Sequence, residues 1–429
     1  MQNAEINTTG ARNPRLIAAQ IVARWLVSGE HPNRMLSAID KDRALVTELV
    51  YGVVRWRRLL EWILKQTVRR VPPPRLKAFV LTALYEIFIM QNAAEYAVVN
   101  ETVGSVKLES ASRQANFVNA VLRQALRDRE KINIAIDKQR AGVRLSHPDV
   151  LVNRWINNYG ETKALRLCDW NNSRPQVTIR INALKPPQAV EKLAFNLTEN
   201  FAITSIAGRK HYYTVPHGAR IDNLPGYAEG LFLVTDPFAV NAVELLAPVA
   251  GDTVLDACAA PGGKTFLIAE KMRTKGILIA VDRDEQRLLR LKTNLQRLGI
   301  LDFVQVKKGD ILELGRDTEK YDRILADVPC SNTGVIRRKP DIRWRFNLKG
   351  LGLLVKTQKK MLDRLAPLLK TGGTLVYSTC SLEPEENQML IASWLEKNPS
   401  FCLIEERRFF PPESGADGGY AAAIIRREP

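Results

Sequence analysis

Residues 252–272, DTVLDACAAPGGKTFLIAEKM, contain the pattern that decides the fold of the larger part of the chain. An apolar strand begins at Thr253 and leads into a glycine-rich turn, and an amphipathic helix is expected over Thr265–Met272. Gly262 and Gly263 permit a tight turn and a close approach of the backbone to a ligand. A strand, a turn and a helix in this order predict one βα unit of a parallel sheet.

The same alternation continues towards the end of the chain. Apolar strands are expected to begin at Gly276, Phe303, Tyr321 and Gly373. Helices are expected over Glu285–Leu298, Leu351–Leu369 and Glu385–Glu396. Near-continuous apolar strands that alternate with helices indicate a parallel sheet covered on both faces, with a ligand at the carboxyl ends of the strands. We therefore predict a Rossmann-like α/β domain over residues 231–429.

The first 135 residues follow a helical pattern instead. Apolar residues recur at helical spacing in LVTELVYGVVRWRRLLEWIL and in LKAFVLTALYEIFIM, and Pro72–Pro74 separate the two predicted helices. FVNAVLRQALRDRE predicts a third helix. Residues 136–230 are mixed: DVLVNRWINNYG reads as a helix, whereas PQVTIRIN and GRKHYYTVP read as strands. We predict an all-α domain over 1–135 and an α+β region over 136–230.

The charge of the chain favours a polyanionic partner. The 429 residues carry a formal net charge of +17, which is typical of nucleic-acid-binding proteins. Solubility alone would also explain a net positive charge. The basic residues are clustered, however: VVRWRRLLEWILKQTVRRVPPPR contains Arg55, Arg57 and Arg58 among its cations, against the single acid Glu61. We take these three arginines as candidate RNA contacts because a surface of one sign attracts phosphates.

Cysteine usage and hydropathy predict a cytoplasmic protein. Five cysteines, an odd number in a long chain, do not form a disulfide framework, so free thiols in a reducing compartment are expected. MQNAEINTTGARNPRL has no apolar centre of the kind a signal peptide needs, and no apolar run approaches the roughly 18–20 residues of a membrane span. With four histidines and no Cys-x-x-Cys pair, no metal site is expected.

Acidic residues follow the second and third strands of the α/β pattern. Asp282 ends AVD, and Asp310 ends KKGD. Asp282 is placed to bind a ribose diol, and Asp310 to read an adenine amino group, although Asp282 alone could equally cap the next helix. The turn lacks both the G-x-G-x-x-G and the P-loop spacing. These strand ends suggest a nucleoside cofactor without a polyphosphate, and S-adenosylmethionine fits that description.

A thiol follows each of two later strands. Cys330 lies in ILADVPCSNTG and Cys380 in YSTCSLEPEEN. We expect these strands to be neighbours, so that both thiols face the cofactor end of the sheet. For any single cysteine, burial in the core is the simpler interpretation, and we expect it for Cys168 and Cys402. A redox disulfide between Cys330 and Cys380 is conceivable but would leave the cofactor turn unexplained.

Two thiols beside a methyl donor suit methylation at carbon 5 of a pyrimidine. That carbon is a poor nucleophile until a thiolate adds to carbon 6 and makes carbon 5 enamine-like. The thiol must ionise below the free pKa of about 8.5, and a base must later remove the carbon-5 proton. Asp327, beside Cys330, could supply a hydrogen bond at ring nitrogen 3. The residues by themselves do not rank the two thiols.

A basic segment with an aromatic residue, GVIRRKPDIRWRF, follows Cys330 directly. Basic residues interleaved with an aromatic suit phosphate contact and base stacking, so Arg337 and Arg338 are candidate RNA contacts. The alternative is a solvated loop with Trp344 in the core. A base stacked in a duplex cannot reach a thiol in a pocket, so the target must be single-stranded or flipped out.

The motifs DACAAPGGKT, AVD, DVPCSNTG with RRKPD, and STCS with PEEN resemble those of the Sun (Fmu) family of RNA cytosine-5 methyltransferases. NETVGSVK with NFVNAVLRQ resembles the helical RNA-binding domain, related to the antitermination factor NusB, that bacterial ribosomal members carry. SHPDVLVNRWINNYG and NNSRPQVTIRIN resemble the segment between the two domains. The resemblance covers nearly the whole chain and implies a seven-stranded, mostly parallel methyltransferase sheet behind a NusB-like domain.

The resemblance also implies a role for each site residue. Cys380 matches the nucleophile, and Cys330 matches the cysteine that assists product release as a base or proton relay. Asp327 and Lys264 complete the expected catalytic group. The expected cofactor contacts are Cys258, Ala259, Ala260, Pro261, Gly262, Gly263, Lys264, Asp282, Asp310 and Asp327.

The implied activity is that of a monomeric, S-adenosylmethionine-dependent 16S ribosomal RNA (cytosine-5)-methyltransferase. Action on transfer RNA is an alternative, against which the NusB-like half argues. A non-catalytic RNA-binding assembly factor is another, and both thiols and the complete cofactor loop weigh against it. The chain departs from the family pattern at Val328, Ala239–Val240, Lys339 and Gly419–Tyr420, and none of these departures replaces a thiol.

Overall fold

The computed structural model describes residues 13–39, 41–91, 94–313 and 320–427. The expectation that the chain starts without a signal peptide concerns mainly residues 1–12, which lie outside the described residues. The chain forms two compact units. The first comprises the chain up to Ser173 together with Ile336–Arg345, and the second comprises Arg174–Val335 together with the chain from Phe346 onward.

The first unit is all helical, as predicted for the N-terminal part of the chain. Its helices are α1 (Pro14–Ser28), α2 (Pro32–Leu36), α3 (Arg43–Thr67), α4 (Pro74–Tyr85), α5 (Glu95–Glu109), α6 (Ser112–Arg127), α7 (Arg129–Asp137), α8 (Ala141–Arg144), α9 (Asp149–Tyr159), α10 (Glu161–Asn172) and α15 (Ile342–Arg345). Proline begins α4, where a missing N–H costs nothing, and a π-helical turn, Glu86–Met90, follows that helix.

Close contact between α3 and α4 forms the centre of this unit. The apolar faces of the two helices contribute fully buried residues such as Leu60 and Leu84 to one core. Gly52 explains how the helices approach: a Cβ atom at this position would lie 2.2 Å from the ring of Tyr85. A glycine inside a helix costs roughly 0.5–1 kcal/mol relative to alanine, and here it makes room for an aromatic ring.

Ile336–Arg345 belongs to the helical unit although its sequence neighbours belong to the other. Arg343 is completely buried. Its guanidinium donates hydrogen bonds to the carbonyl oxygens of Arg55, Ser146 and Asn171 and to Oδ1 of Asn172, at 2.8–3.1 Å. Trp344 packs against the helical core and donates from Nε1 to the carbonyl of Val54 at 2.7 Å. Of the two interpretations of this segment, packing of Trp344 against the core is the one the structure shows.

The second unit contains a small antiparallel sheet and a large, mostly parallel one. The small sheet has the order β2-β3-β1-β4. It consists of β1 (Val177–Ile181), β2 (Thr204–Ser205), β3 (Tyr212–Val215) and β4 (Phe232–Val234), and α11 (Pro187–Phe201) follows β1. The predicted strands in PQVTIRIN and GRKHYYTVP are confirmed as β1 and β3.

The large sheet has seven strands in the order β10-β11-β9-β8-β5-β6-β7. The strands are β5 (Thr253–Asp256), β6 (Ile277–Asp282), β7 (Val304–Lys308), β8 (Tyr321–Asp327), β9 (Leu369–Thr379), β10 (Phe401–Phe409) and β11 (Gly419–Arg426). Only β11 runs antiparallel to its two neighbours; the other pairings are parallel. The predicted seven-stranded, mostly parallel Rossmann-like sheet is confirmed.

In the part of the chain that the structure describes, six helices accompany this sheet in sequence. They are α12 (Ala239–Leu246), α13 (Gly263–Lys271), α14 (Glu285–Leu298), α16 (Leu348–Leu365), α17 (Gln388–Leu395) and α18 (Pro411–Ser414). Two predicted bounds were wrong. The helix expected to reach Leu369 ends at Leu365, because the chain turns at Pro367 and β9 already begins at Leu369. The helix expected from Glu385 begins at Gln388, because Pro384–Glu386 form a separate 3₁₀ turn.

Strand register brings the functional segments to one edge of the sheet. In the parallel pair β8–β9, Asp327 lies opposite Ser378, so the loops that carry Cys330 and Cys380 leave neighbouring strands side by side. In the pair β5–β8, Asp256 lies opposite Leu325. The carboxyl ends of these strands therefore form one continuous edge. Within the described residues, no helix has the length and apolar character needed to cross a membrane.

Candidate active site

The structure brings the two predicted thiols together. Cys330 Sγ lies 3.3 Å from Cys380 Sγ, and both cysteines are free thiols. Cys330 is buried and Cys380 is half-buried. The Cys380 thiol also donates to Oδ1 of Asn332, at 3.1 Å, and the Asn332 amide donates to the carbonyl of Cys330 at 2.6 Å. Asn332 therefore connects the two cysteine loops, a contact that the sequence did not reveal.

The surroundings of Cys330 favour the protonated form of its thiol. The hydrogen bond to Cys380 raises the pKa of the Cys330 thiol well above its ordinary value, and burial and the nearby Glu386 carboxylate raise it further. Cys330 thus keeps its proton at neutral pH and can donate it towards the sulfur of Cys380. This protonated state makes Cys330 a candidate for a proton-holding group.

A lysine–aspartate pair lies beside the thiols. Lys264 Nζ is 2.7 Å from Oδ2 of Asp327, and both side chains are mostly buried. Burial alone lowers the pKa of Lys264, but the Asp327 carboxylate outweighs this effect and the net pKa lies above its ordinary value. A negative charge on Cys380 raises the pKa of Lys264 as well.

The predicted cofactor loop, Cys258–Lys264, is connected by hydrogen bonds to the next strand and helix. Ala259 N donates to the carbonyl of Val281 at 3.0 Å, and Ala260 N donates to the Asp282 carboxylate at 3.3 Å. Arg287, on α14, donates to the carbonyl of Ala260 at 2.6 Å. Asp282 does not cap that helix: Asp284 does so by accepting from the N–H of Arg287. The structure therefore uses Asp282 to hold the loop, and the capping alternative is wrong.

Gly262 is required by the shape of this loop. Its φ of +104° lies in the region that favours glycine, and a Cβ atom would lie 2.6 Å from Cδ1 of Leu291. Among the described residues, no side chain caps the helix that begins at Gly263. The first amides of α13 therefore point, with the positive end of the helix dipole, at the edge where the strands end.

Three carboxylates converge on this loop. Burial raises the pKa of the Cys258 thiol, and Asp327, Asp256 and Asp282 raise it further, which shows that all three surround it. Asp310 lies farther along the same edge, accepting from the N–H of Leu312 at 2.9 Å.

Asp256 is a site residue that the sequence reasoning passed over. It is almost fully buried, and its Oδ2 accepts from the Thr265 hydroxyl at 2.7 Å. Within the described residues its Oδ1 has no hydrogen-bond partner. Burial raises the pKa of Asp256 to about 7. The motif DACAAPGGKT begins with this residue, so its position at a strand end was the signal that could have identified it.

Replacing Asp256 with asparagine is expected to flatten the pH dependence of stability between about pH 4 and pH 7. The folded-state pKa is about 7 and the unfolded value is about 3.9. The folded protein therefore binds the extra proton in this window, and stability falls as pH rises through it. The difference between the folded and unfolded pKa values limits the loss of unfolding free energy to roughly 4 kcal/mol. Urea unfolding at a series of pH values measures it, and an unchanged slope in the variant would contradict the assignment.

The structure gives the arginines of α3 partners inside the helical unit. Arg55 is 5% exposed and donates to the carbonyl of Arg337. Arg57 pairs with Glu61 at 2.9 Å. Arg58 donates to both carboxylate oxygens of Asp149, at 2.7 and 2.8 Å. These contacts favour a structural role, and we do not carry these three arginines forward as RNA contacts.

The two arginines after Cys330 are also partly covered. The Arg337 guanidinium lies over the ring of Trp170, with its carbon 4.1 Å from the ring centroid. Arg338 is half-buried. Among the remaining cysteines, Cys168 is buried as expected, whereas Cys402 is only half-buried.

Comparison with known proteins identifies the family of this chain. Residues 243–425 match the family model described as 16S rRNA methyltransferase RsmB/F, residues 12–127 match the NusB family, and residues 147–200 match a RsmF/B-like, ferredoxin-like domain. Ribosomal RNA small subunit methyltransferase B of Salmonella arizonae is 34% identical over 438 residues, which cover 97% of this chain and 99% of that protein. The chain belongs to the 16S rRNA methyltransferase RsmB/F family.

Two further relatives agree with this membership. The probable ribosomal RNA small subunit methyltransferase B of Synechocystis is 37% identical over 370 residues, which cover 83% of this chain and 81% of that protein. A crystal structure of a methyltransferase homologue from Pyrococcus horikoshii covers 67% of this chain and 98% of its own, with 28% identity and a TM-score of 0.59. The resemblance inferred from the motifs, to RNA methyltransferases with a NusB-like domain, is confirmed for the RsmB/F family.

Proposed function

We propose that this protein transfers a methyl group from S-adenosylmethionine to carbon 5 of a cytosine in 16S ribosomal RNA through a covalent cysteine–cytosine adduct. Membership in the RsmB/F family supports methyl transfer. The observation that carries the finer proposal is the pair of thiols 3.3 Å apart beside the Lys264–Asp327 ion pair. Transfer to an amino group or a hydroxyl needs no thiol nucleophile, whereas methylation at carbon 5 needs a nucleophile that adds to carbon 6 and a second group that later takes the carbon-5 proton.

The residues of the loop edge fit S-adenosylmethionine. Its amino-acid and nucleoside parts need donors and acceptors of both kinds, and the edge offers the uncapped start of α13 and the unpaired Oδ1 of Asp256. We propose that Cys258–Lys264, Asp282, Asp310 and Asp327 hold it. When bound, the cofactor would supply a methyl group on a sulfonium, an electrophile that needs no activation by the protein.

Cys380 would act as the nucleophile. Its thiolate would add to carbon 6 of a cytosine that has been turned out of its stack. As the thiolate adds, ring nitrogen 3 would take up the proton that the thiol has released, and the Asp327 carboxylate, held by Lys264 at 2.7 Å, would accept the hydrogen bond of the resulting N–H. The buried position of both charged groups strengthens their effect, because little water screens them.

Cys330 would act after methylation. Removal of the carbon-5 proton restores the ring double bond and breaks the bond between carbon 6 and Cys380. Cys330, whose sulfur is 3.3 Å from that of Cys380, would serve as the base, once its own proton has passed to solvent, or as a relay that gives its proton to the leaving sulfur of Cys380 and takes the carbon-5 proton in return. Its raised pKa suits a group that must hold a proton between the two steps.

The rest of the chain would bind RNA. We propose three functional segments, a NusB-like domain over 1–135, an intermediate region over 136–230 and the catalytic domain over 231–429, in a protein that acts as a cytoplasmic monomer. The net charge of +17 supports RNA binding. Arg337 and Arg338 follow the Cys330 loop directly, and we propose them as contacts to phosphates near the target base.

Methylation of purified RNA with labelled S-adenosylmethionine tests this function. The substrates are 16S ribosomal RNA and bulk transfer RNA from cells that lack the modification, and nuclease digestion followed by mass spectrometry identifies the modified nucleoside. We expect 5-methylcytidine in 16S ribosomal RNA. Label on transfer RNA alone, label at another atom, or no label with either RNA would each contradict the proposal.

A further inference from the structure

A buried carboxylate lies directly behind the thiol pair. Glu386 has no solvent exposure and belongs to the 3₁₀ turn Pro384–Glu386, in the EPEEN stretch after Cys380. Tyr377, two residues before the end of β9, donates from its hydroxyl to the carbonyl of Glu386 at 2.6 Å, so the turn itself is fixed. The proposed reaction assigns no task to this group.

The carboxylate of Glu386 binds the residue that follows each cysteine. Its Oε1 accepts from the backbone N–H of Ser331 at 2.9 Å, and its Oε2 accepts from the Ser331 hydroxyl at 2.5 Å. The same Oε2 accepts from the hydroxyl of Ser381, also at 2.5 Å. One carboxylate thus holds the residue after Cys330 at two points and the residue after Cys380 at one.

A second set of contacts extends this connection. The two serine hydroxyls lie 3.0 Å from each other. Gln358, on α16, donates from Nε2 both to Oε1 of Glu386 and to the carbonyl of Pro329, the residue before Cys330. The Cys330 loop is therefore held on both sides of the thiol.

The four hydrogen-bond donors to this carboxylate are all neutral groups. Within the described residues, no lysine, arginine or histidine pairs with Glu386, although burying a carboxylate without a cation is costly. Four hydrogen bonds can compensate that cost only if both loops keep their positions. A core that needed only stability would be served better by apolar residues, so the arrangement indicates a demand for exact alignment of the loops.

We propose that Glu386 is a positioning residue that holds the two cysteine loops in register and so sets the 3.3 Å separation of the sulfur atoms. The importance of this separation rests on the proposed function, because adduct formation on one thiol and release assisted by the other need both sulfurs at one pyrimidine. The geometric claim itself concerns only the two loops. The negative charge of Glu386 near the buried Cys330 thiol also favours the protonated form of that thiol.

Chemical cross-linking of the thiols tests the geometric claim without RNA. The full chain is treated with the thiol oxidant diamide, and mass spectrometry follows formation of the Cys330–Cys380 disulfide. In Glu386→Gln, one carboxylate oxygen becomes an NH2 group that cannot accept, so two of the four hydrogen bonds to the loops and Gln358 are lost in either orientation of the amide. We expect the disulfide to form about tenfold more slowly, since effective concentration falls steeply when two groups are no longer held together.

Three controls distinguish a positioning role of Glu386 from a general loss of structure in the unit. Glu385→Gln removes a carboxylate from the neighbouring position of the same turn and is expected to react like the wild type. Alkylation of Cys258, on the cofactor loop, reports opening of the unit and is expected to keep its rate in Glu386→Gln. If Glu386→Gln does not fold, Ser331→Ala and Ser381→Ala each remove one link, and each is expected to slow the disulfide about threefold, on the scale of one hydrogen bond.

The outcomes distinguish this inference from the proposed function. A wild-type disulfide rate in folded Glu386→Gln, or equal slowing in Glu385→Gln, would overturn the positioning role even if the wild type methylates cytosine. A slowed disulfide in Glu386→Gln with normal Cys258 reactivity would support it. That result would stand even if the wild type were found to methylate another atom, because the disulfide assay contains neither RNA nor cofactor.

Discussion

Cys330→Ala is expected to leave the protein covalently joined to its RNA, whereas Cys380→Ala is expected to form no adduct and to lose methylation. Without Cys330 the carbon-5 proton has no nearby base or relay, so Cys380 adds to the ring but is not released. Without Cys380 no addition takes place. Loss of a covalent nucleophile reduces turnover by roughly 10⁴-fold or more. A denaturing gel of protein incubated with labelled 16S ribosomal RNA and S-adenosylmethionine shows the adduct as a band of reduced mobility.

The matched control is Cys402→Ala, a half-buried cysteine of β10. It is expected to methylate at the wild-type rate and to form no stable adduct. Equal activity of Cys380→Ala and the wild type, with loss of activity in Cys330→Ala, would reverse the roles of the two thiols. Activity in both single variants would refute the covalent route altogether.

Arg343→Met is expected to lower the free energy of unfolding of the helical unit by about 3 kcal/mol. Burial lowers the pKa of this guanidinium to about 9, so burying the charge is itself costly. The substitution removes that cost but leaves four oxygen acceptors of the helical unit without this donor. Each unsatisfied buried group costs roughly 1–3 kcal/mol, and the sum exceeds the relief from removing the charge.

Chemical denaturation followed by far-UV circular dichroism measures this effect. Arg343→Lys keeps the charge but cannot reach four acceptors with one ammonium group, so it is expected to be destabilised as well, though less than methionine. Arg364→Met, at an exposed position of α16, is expected to unfold like the wild type. If Arg343→Met were as stable as the wild type, the segment 336–345 would not depend on this buried cation.

The sequence alone determined the fold class of both parts of the chain. The glycine-rich turn between a strand and a helix, repeated as an alternation of apolar strands and amphipathic helices, was enough to predict the parallel sheet. Local periodicity carries this information because each element has one face or one side that must be buried. The spacing of Cys330 and Cys380 after two strands also predicted that their thiols would meet, since parallel strands end at the same edge.

Contacts between distant residues could be learned only from the tertiary structure. Glu386 is 55 positions from Ser331, and nothing in its local pattern distinguishes it from Glu385. Asp256 and Asn332 lie within the motifs DACAAPGGKT and DVPCSNTG, yet the residues that they contact depend on how neighbouring strands are aligned.

The basic segments show most clearly which properties the sequence reveals and which only the folded structure reveals. Local composition predicted that Arg55, Arg57 and Arg58 would face RNA, because clustered charge usually lies on a solvated surface. The structure gives them internal partners and buries Arg343 among helix carbonyls. Charge is a property of each residue and can be read from the sequence, whereas the environment that neutralises or exposes it is created by residues far away along the chain, and only folding brings them together.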